Sequence, residues 1–246
     1  MVRKFGSAIP ISILRCAAIK TRPQDKSCWR SVFAGKRHNP ILPAGRKLPT
    51  IQGMKLLIFA GSNRQNSFNR RLAGAAAAQA REAGAEVNHI ELADFDIPMY
   101  NADLEARGTP ADVIRLKTLM FEHPAWLICS PEYNGSYTAL LKNTIDWASS
   151  PVKADPAWSD GFKPFAGKVV GMLSASNGAL GGLRSQSHLA PLLLNVQCWL
   201  APKAFALGRA ADAFDASGVL VSEAHRNSVR AVVDQVLWAA SRLQQS

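Results

Sequence analysis

Ser62, Arg64, Ser67 and Asn69 stand close together in one short turn that opens at Gly61. Two hydroxyls, a guanidinium and an amide are the donors that hold a phosphate monoester without a metal. The turn is not a nucleoside-triphosphate loop, because no Gly-Lys-Ser/Thr follows. Nor is it a dinucleotide fingerprint, because Gly-x-Gly-x-x-Gly is missing. Capping of a following helix by the same Ser and Asn, with Arg64 in water, is the plainer alternative for this turn alone. Two further polar loops carry similar chemistry, Ser130-Pro-Glu-Tyr-Asn-Gly-Ser136 and the Gly-rich run 175–182. Cys16, Cys28, Cys129 and Cys198 are scattered without paired or metal-like spacing, and the five histidines are isolated. No metal site is expected. Cys129 ends an apolar run and reads as a buried free thiol, which suits a reducing compartment and a cytoplasmic location.

Something must hold these loops side by side. Residues 54–60 form a short continuous apolar run, as a strand buried in a parallel sheet requires. Residues 70–80 are rich in helix formers and lead to Gly84, so the first turn lies between a strand and a helix. There the free N–H groups and the positive helix end attract anions. The pattern then repeats. Strands are expected over 85–92, 125–129, 168–174 and 199–207, the last weakened by Pro202. Helices are expected from Pro110 to 122, over 140–149, from 183 and over 222–243. Pro110 suits a first helical position, residues 94–101 read as a loop, and Pro191 should start, kink or break a helical segment. The alternation predicts an α/β fold, a doubly wound five-stranded parallel sheet with helices on both faces. Ligands of such sheets bind beyond the carboxyl ends of the strands, and all three polar loops fall on that edge. Their convergence favours the phosphate reading over capping.

The charge of the chain separates by position. Of its 29 Lys/Arg and 18 Asp/Glu, residues 1–53 hold 11 and one, leaving 18 against 17 in the remainder. The body is therefore nearly neutral, which argues against nucleic acid as its main partner. No apolar run reaches the length of a membrane span. Residues 1–53 lack periodicity, and the expectation is a basic, disordered extension ahead of one domain over 54–246, with Met54 as the natural start.

Together the loops resemble those of the NADPH-dependent FMN reductase family, a flavodoxin-like group that includes quinone, azo-dye and chromate reductases. Gly61-Ser62-x-Arg64-x-x-Ser67-x-Asn69 is similar to its FMN-phosphate loop. Ser130-Pro-Glu-Tyr-Asn-Gly-Ser136 with Leu141-Lys-Asn-x-Ile-Asp-Trp147 is similar to its isoalloxazine loop and adjoining helix, and Gly178-x-x-Gly181-Gly182-x-Arg184 to its third loop. The resemblance implies that Ser62, Arg64, Ser67 and Asn69 hold the phosphate. It implies that Pro131, Glu132, Tyr133, Asn134 and Gly135 line the ring and ribityl chain, with Ser174 and Gly178 bordering the ring. Lys142, Asn143, Asp146 and Trp147 are read as fixing their helix. Thr138-Ala139 stands where Pro-Gly or a similar pair is common in the family, and Ala190-Pro191 where an Arg is frequent after the Leu, so a subunit contact built on that Arg is not carried over.

The implied activity is ping-pong hydride transfer from NADPH or NADH through bound FMN to a small-molecule electron acceptor, quinone-like or other, with no catalytic side chain beyond those that bind the flavin. The family also implies a homodimer or homotetramer. Rival readings are a flavodoxin-type carrier of single electrons and a flavin-binding interaction module without NAD(P)H turnover. Residues 150–164, which carry Trp158 and Phe162, are expected either as a flap or interface segment near the flavin, or as a loop anchored to its own domain.

Overall fold

The computed structural model describes residues 51–244. Its strands are β1 (Lys55–Ala60), β2 (Glu86–Ile90), β3 (Ala125–Cys129), β4 (Val169–Ala175) and β5 (Trp199–Leu207). Its helices are α1 (Phe68–Glu82), α2 (Ala102–Arg107), α3 (Ala111–Glu122), α4 (Ala139–Ala148), α5 (Leu183–Asn195) and α6 (Glu223–Leu243). The strands pair in the order β2-β1-β3-β4-β5, every pair parallel. Alternation along β1 sends Leu56, Ile58 and Ala60 to one face, where α1 and α6 cover them. It sends Leu57 and Phe59 to the other, beneath α3, α4 and α5. The flavodoxin-like, doubly wound arrangement is therefore the one expected. Val229, Val232, Val233, Val236 and Leu237 of α6 are almost wholly buried, each contributing roughly 1.5–3 kcal/mol of apolar burial.

Four local readings need correction. Pro191 neither starts nor breaks a segment, because α5 runs through it. The N–H it lacks would have met the carbonyl of Ser187, an exposed residue that water can serve. Pro110 caps α3 in an extended conformation (ψ 144°), one residue before the helix. The short α2 was not foreseen: it buries no residue and so leaves no apolar period, and it depends on the Asn101 side chain accepting from the Asp103 and Leu104 amides. Finally, residues 150–164 form no flap at the polar loops. α4 begins at the carboxyl edge of the sheet and delivers this segment to the opposite edge. There Trp158 packs edge-on against Phe121 (5.8 Å, 88°) and Phe165 against Trp126 (5.6 Å). It is a loop anchored to its own domain.

Pro202 does not spoil β5. The strand lies at the sheet edge, and its register jumps from Val170↔Leu200 to Met172↔Ala204, so residues 201–203 bulge out of the ladder. The expectation for residues 1–53 falls, except for Ile51–Gly53, outside the described residues. These three residues turn into the body: the Gly53 amide donates to the Gly84 carbonyl (3.0 Å) and the Met54 amide to that of Ile51 (3.0 Å). Ile51 packs on the core beneath α1 and α6.

Candidate functional site

The first turn continues β1 past its last residue, with the Gly61 amide donating to the Cys129 carbonyl (2.9 Å). Ser67 is the N-cap of α1 (φ −69°, ψ 129°), yet its side chain makes no capping bond. It is 3% exposed. Ser62, 6% exposed, accepts only a long contact from the Arg64 amide (3.4 Å). The Arg64 guanidinium is exposed, donates to the Asn66 carbonyl (3.1 Å) and lies 5.6 Å from the centre of the Phe68 ring. Two nearly buried hydroxyls, the amides of a helix start and a lightly engaged guanidinium thus stand together on one turn. Capping alone does not use them. Asn69 is occupied differently: its Nδ2 donates to the Ala175 carbonyl and its Oδ1 accepts from the Ala175 amide, both at 2.9 Å. It ties the first turn to the end of β4.

In the second loop Tyr133 and Ser136 exchange backbone bonds (2.9 and 3.0 Å), with φ of 50° at Asn134 and 80° at Gly135. Two consecutive left-handed residues make this a tight two-residue turn for which Asn-Gly is the favoured pair. Tyr133 projects from it, 56% exposed, while Pro131 is buried at its base. The Glu132 carboxylate turns away to the start of α5. It accepts from the Arg184 amide (3.1 Å) and Nε (2.6 Å) and lies 2.5 Å from Nη2. A carboxylate at a helix N-terminus also meets the positive end of the dipole.

In the third loop Ser174 is fully buried and its Oγ accepts from Gln186 Nε2 (2.7 Å). Gly178 is exposed; its carbonyl receives the Gly181 amide (3.1 Å). A Cβ on Gly181 would sit 2.6 Å from the backbone of Ala206, Leu207 and Gly208. Only glycine lets this loop lie so close to the end of β5.

The structure therefore brings the three loops together, and it shows what fastens them. Thr138, the N-cap of α4, donates from Oγ1 to the Gly61 carbonyl (2.8 Å) and accepts from the Leu141 amide (3.2 Å). Ser185 Oγ donates to the Ser130 carbonyl (3.1 Å). Neither was singled out from sequence as a fastener. Thr138 carried a legible signal as a capping residue ahead of a helix, but its second bond reaches 77 residues back. On α4, Asn143 donates to the Pro98 carbonyl (2.9 Å) and accepts from the Tyr100 amide (2.7 Å). Trp147 Nε1 donates to the same Pro98 carbonyl (2.8 Å), and Lys142 pairs with Asp146. These residues fix the helix and the loop beside it, as expected. Cys129 and Cys198 are buried free thiols, and burial raises the pKa of both, Cys198 to about 12. Neither supplies a thiolate near neutral pH.

The family model described as NADPH-dependent FMN reductase matches residues 54–212. An NAD(P)H-dependent FMN reductase of Pseudomonas aeruginosa is 36% identical over 189 residues, covering 75% of this chain and 95% of the relative. An NAD(P)H:quinone oxidoreductase of Solanum tuberosum is 35% identical, over 73% of this chain and 89% of the relative. Among solved structures, the flavoenzyme NAD(P)H:(acceptor) oxidoreductase FerB of Paracoccus denitrificans superposes with a TM-score of 0.64 at 30% identity. It covers 76% of this chain and 97% of its own.

Proposed function

Because the chain belongs to the NADPH-dependent FMN reductase family, we propose that its three-loop rim holds FMN and that its electron acceptor is a quinone-like small molecule. The chain is an FMN-dependent NAD(P)H oxidoreductase. FMN held there would supply the ring that takes hydride from NAD(P)H and passes the electron pair to the acceptor. The protein's part is to bind, orient and shield.

The observation that carries the reading is the first turn. Ser67 is buried at a helix start with its hydroxyl uncommitted, beside Ser62 and Arg64. That donor set fits a dianionic phosphate, with the helix amides supplying further N–H groups. Ser62, Arg64 and Ser67 take the phosphate. Pro131, Tyr133, Asn134 and Gly135 line the ring and ribityl chain, and Gly178 borders the ring from the third loop. Asn69, Glu132 and Ser174, whose polar atoms are spent on Ala175, Arg184 and Gln186, set the spacing of the loops and contribute backbone surface. The quinone-like acceptor is supported by relatives named quinone reductases. Exposed Leu180 and Leu183 beside the rim, together with Tyr133, support a homo-oligomer that covers this edge. The two buried free thiols suit a reducing, cytoplasmic setting, and no described helix is long and apolar enough to cross a membrane.

Steady-state oxidation of NADPH by the FMN-loaded protein tests the acceptor. Benzoquinone should sustain turnover. Turnover with one-electron acceptors alone would contradict the quinone reading.

A further inference from the structure

Arg209 follows β5 on the same edge of the sheet, and its backbone is unusual. It is a non-glycine residue in the left-handed region, φ 51° and ψ 44°. Such a conformation is costly for a bulky side chain and persists only where the surroundings impose it. The surroundings here are the third loop. Three successive amides dock on it: Arg209 on the Gly178 carbonyl (3.4 Å), Ala210 on the Ser176 carbonyl (3.1 Å) and Ala211 on Asn177 Oδ1 (3.0 Å). A Cβ on the preceding Gly208 would come within 2.6 Å of the Ala179 carbonyl oxygen. The backbone of Arg209 is thus fastened to the loop that borders the flavin, and its side chain is left exposed. The guanidinium makes no hydrogen bond, ion pair or ring contact among the described residues.

That isolation sets it apart on the rim. Arg184 is held by Glu132, two residues of opposite charge on facing elements. Arg64 stands on the first turn, where the flavin phosphate is assigned. Arg209 is a further cation on the rim, beside the third loop, with no acidic partner among the described residues and no part in the FMN site assigned above. The co-substrate brings phosphates of its own. NADPH and NADH differ by one dianion, the 2′-phosphate of the adenosine ribose, and a guanidinium matches phosphate geometry through paired N–H donors. Arginine beside a nucleotide site is a general solution for accommodating that group.

Resting on the reductase reading above, we propose that Arg209 binds the 2′-phosphate of NADPH and gives the enzyme its preference for NADPH over NADH. The left-handed backbone, docked on Ser176, Asn177 and Gly178, fixes where the Arg209 side chain leaves the rim, and the exposed guanidinium would take the 2′-phosphate there. Arg209 is a specificity residue; it takes no part in hydride transfer.

The test uses the FMN-loaded full chain with Arg209→Asn, which tolerates the left-handed backbone, Arg209→Gly, which suits it fully, and Arg209→Lys. Both uncharged variants should raise KM for NADPH roughly ten- to a hundredfold, as loss of a charge-assisted pair implies, while KM for NADH stays within about twofold. Arg209→Lys should recover part of the loss. Calorimetric titration with 2′,5′-ADP and 5′-AMP reads the same contact without turnover: wild type should favour 2′,5′-ADP, and Arg209→Asn should not. Equal losses for NADPH and NADH, or no change for either, would overturn the assignment. A wild-type protein that oxidises neither nucleotide would instead remove the reductase reading, and the 2′,5′-ADP titration would still report on the arginine.

Discussion

Arg64 commits its guanidinium to a single backbone carbonyl, that of Asn66, and so keeps donors for a ligand. FMN differs from riboflavin by its terminal phosphate, and Arg64 is the formal charge on the turn assigned to it. Charge-assisted bonds contribute on the order of 1.5–3 kcal/mol, so Arg64→Ala should weaken FMN roughly ten- to a hundredfold. Riboflavin should lose little, and Arg64→Lys should restore only part, because an ammonium lacks the paired fork. Flavin fluorescence titration of each variant with both ligands measures this. An equal loss for the two flavins would move Arg64 from the phosphate to the fold. The residue types proposed for the site were read from the sequence by the donors a phosphate needs. Where those donors point was not. Asn69 bonds 106 residues away, Glu132 bonds 52 away and Ser174 accepts from a residue 12 away. Local chemistry names a polar side chain without naming its partner, and these three turn to the scaffold.

Elements explain why the rim is held in place. α4 carries the second loop at its start, where Thr138 grips Gly61, and its last carbonyls are gripped by Lys117 of α3. The Lys117 ammonium is fully buried and donates to the Ala148 carbonyl (2.8 Å) and the Ser150 carbonyl (2.7 Å). A cation at a helix C-terminus meets the negative end of the dipole. Burial nevertheless lowers its pKa from 10.5 to about 8, with Asp160 and Glu105 opposing the shift. The charged form is disfavoured in the fold, so between about pH 8 and 10.5 the unfolded chain holds more protons at this residue and its contribution to stability rises with pH, against the fall that buried Cys129 and Cys198 impose above about pH 9. Lys117→Met should remove this contribution, so the difference between wild type and variant should change with pH through the window. At pH 7 it should cost about 1–3 kcal/mol, because two carbonyls lose their donor. Urea unfolding across this range reads both effects, and a pH dependence identical in the wild type and the variant would show that Lys117 makes no such contribution. Strands β1, β3 and β4 were readable as short apolar runs, and β2 as an alternation of apolar and polar residues. α2 was not, because an element that buries nothing leaves no period. Pro191 misled and Pro202 did no harm for one reason: a proline's cost depends on whether the missing N–H faced a partner, which an exposed helix turn and an edge bulge both avoid. Trp158 and Phe162 were legible as anchors, but not the end of the sheet to which α4 carries them.

At the scale of the molecule, the charge step near Met54 separates a basic N-terminal stretch from a nearly neutral body. We propose that the stretch is dispensable for FMN binding and turnover, up to the turn that Ile51–Gly53 make against Gly84. A chain beginning at Ile51 should bind one FMN and turn over like the full protein, and one beginning at Met54 should do so with a lower melting temperature. Loss of flavin from a folded truncation would contradict this. FMN held by the three loops should take hydride from a nicotinamide nucleotide. The direct measurement is anaerobic mixing of the FMN-loaded protein with an equimolar amount of NADPH, followed in the visible spectrum. The flavin colour should bleach within the turnover time and return on adding a quinone. A bound flavin that dithionite bleaches while both NADPH and NADH leave it yellow would contradict the account.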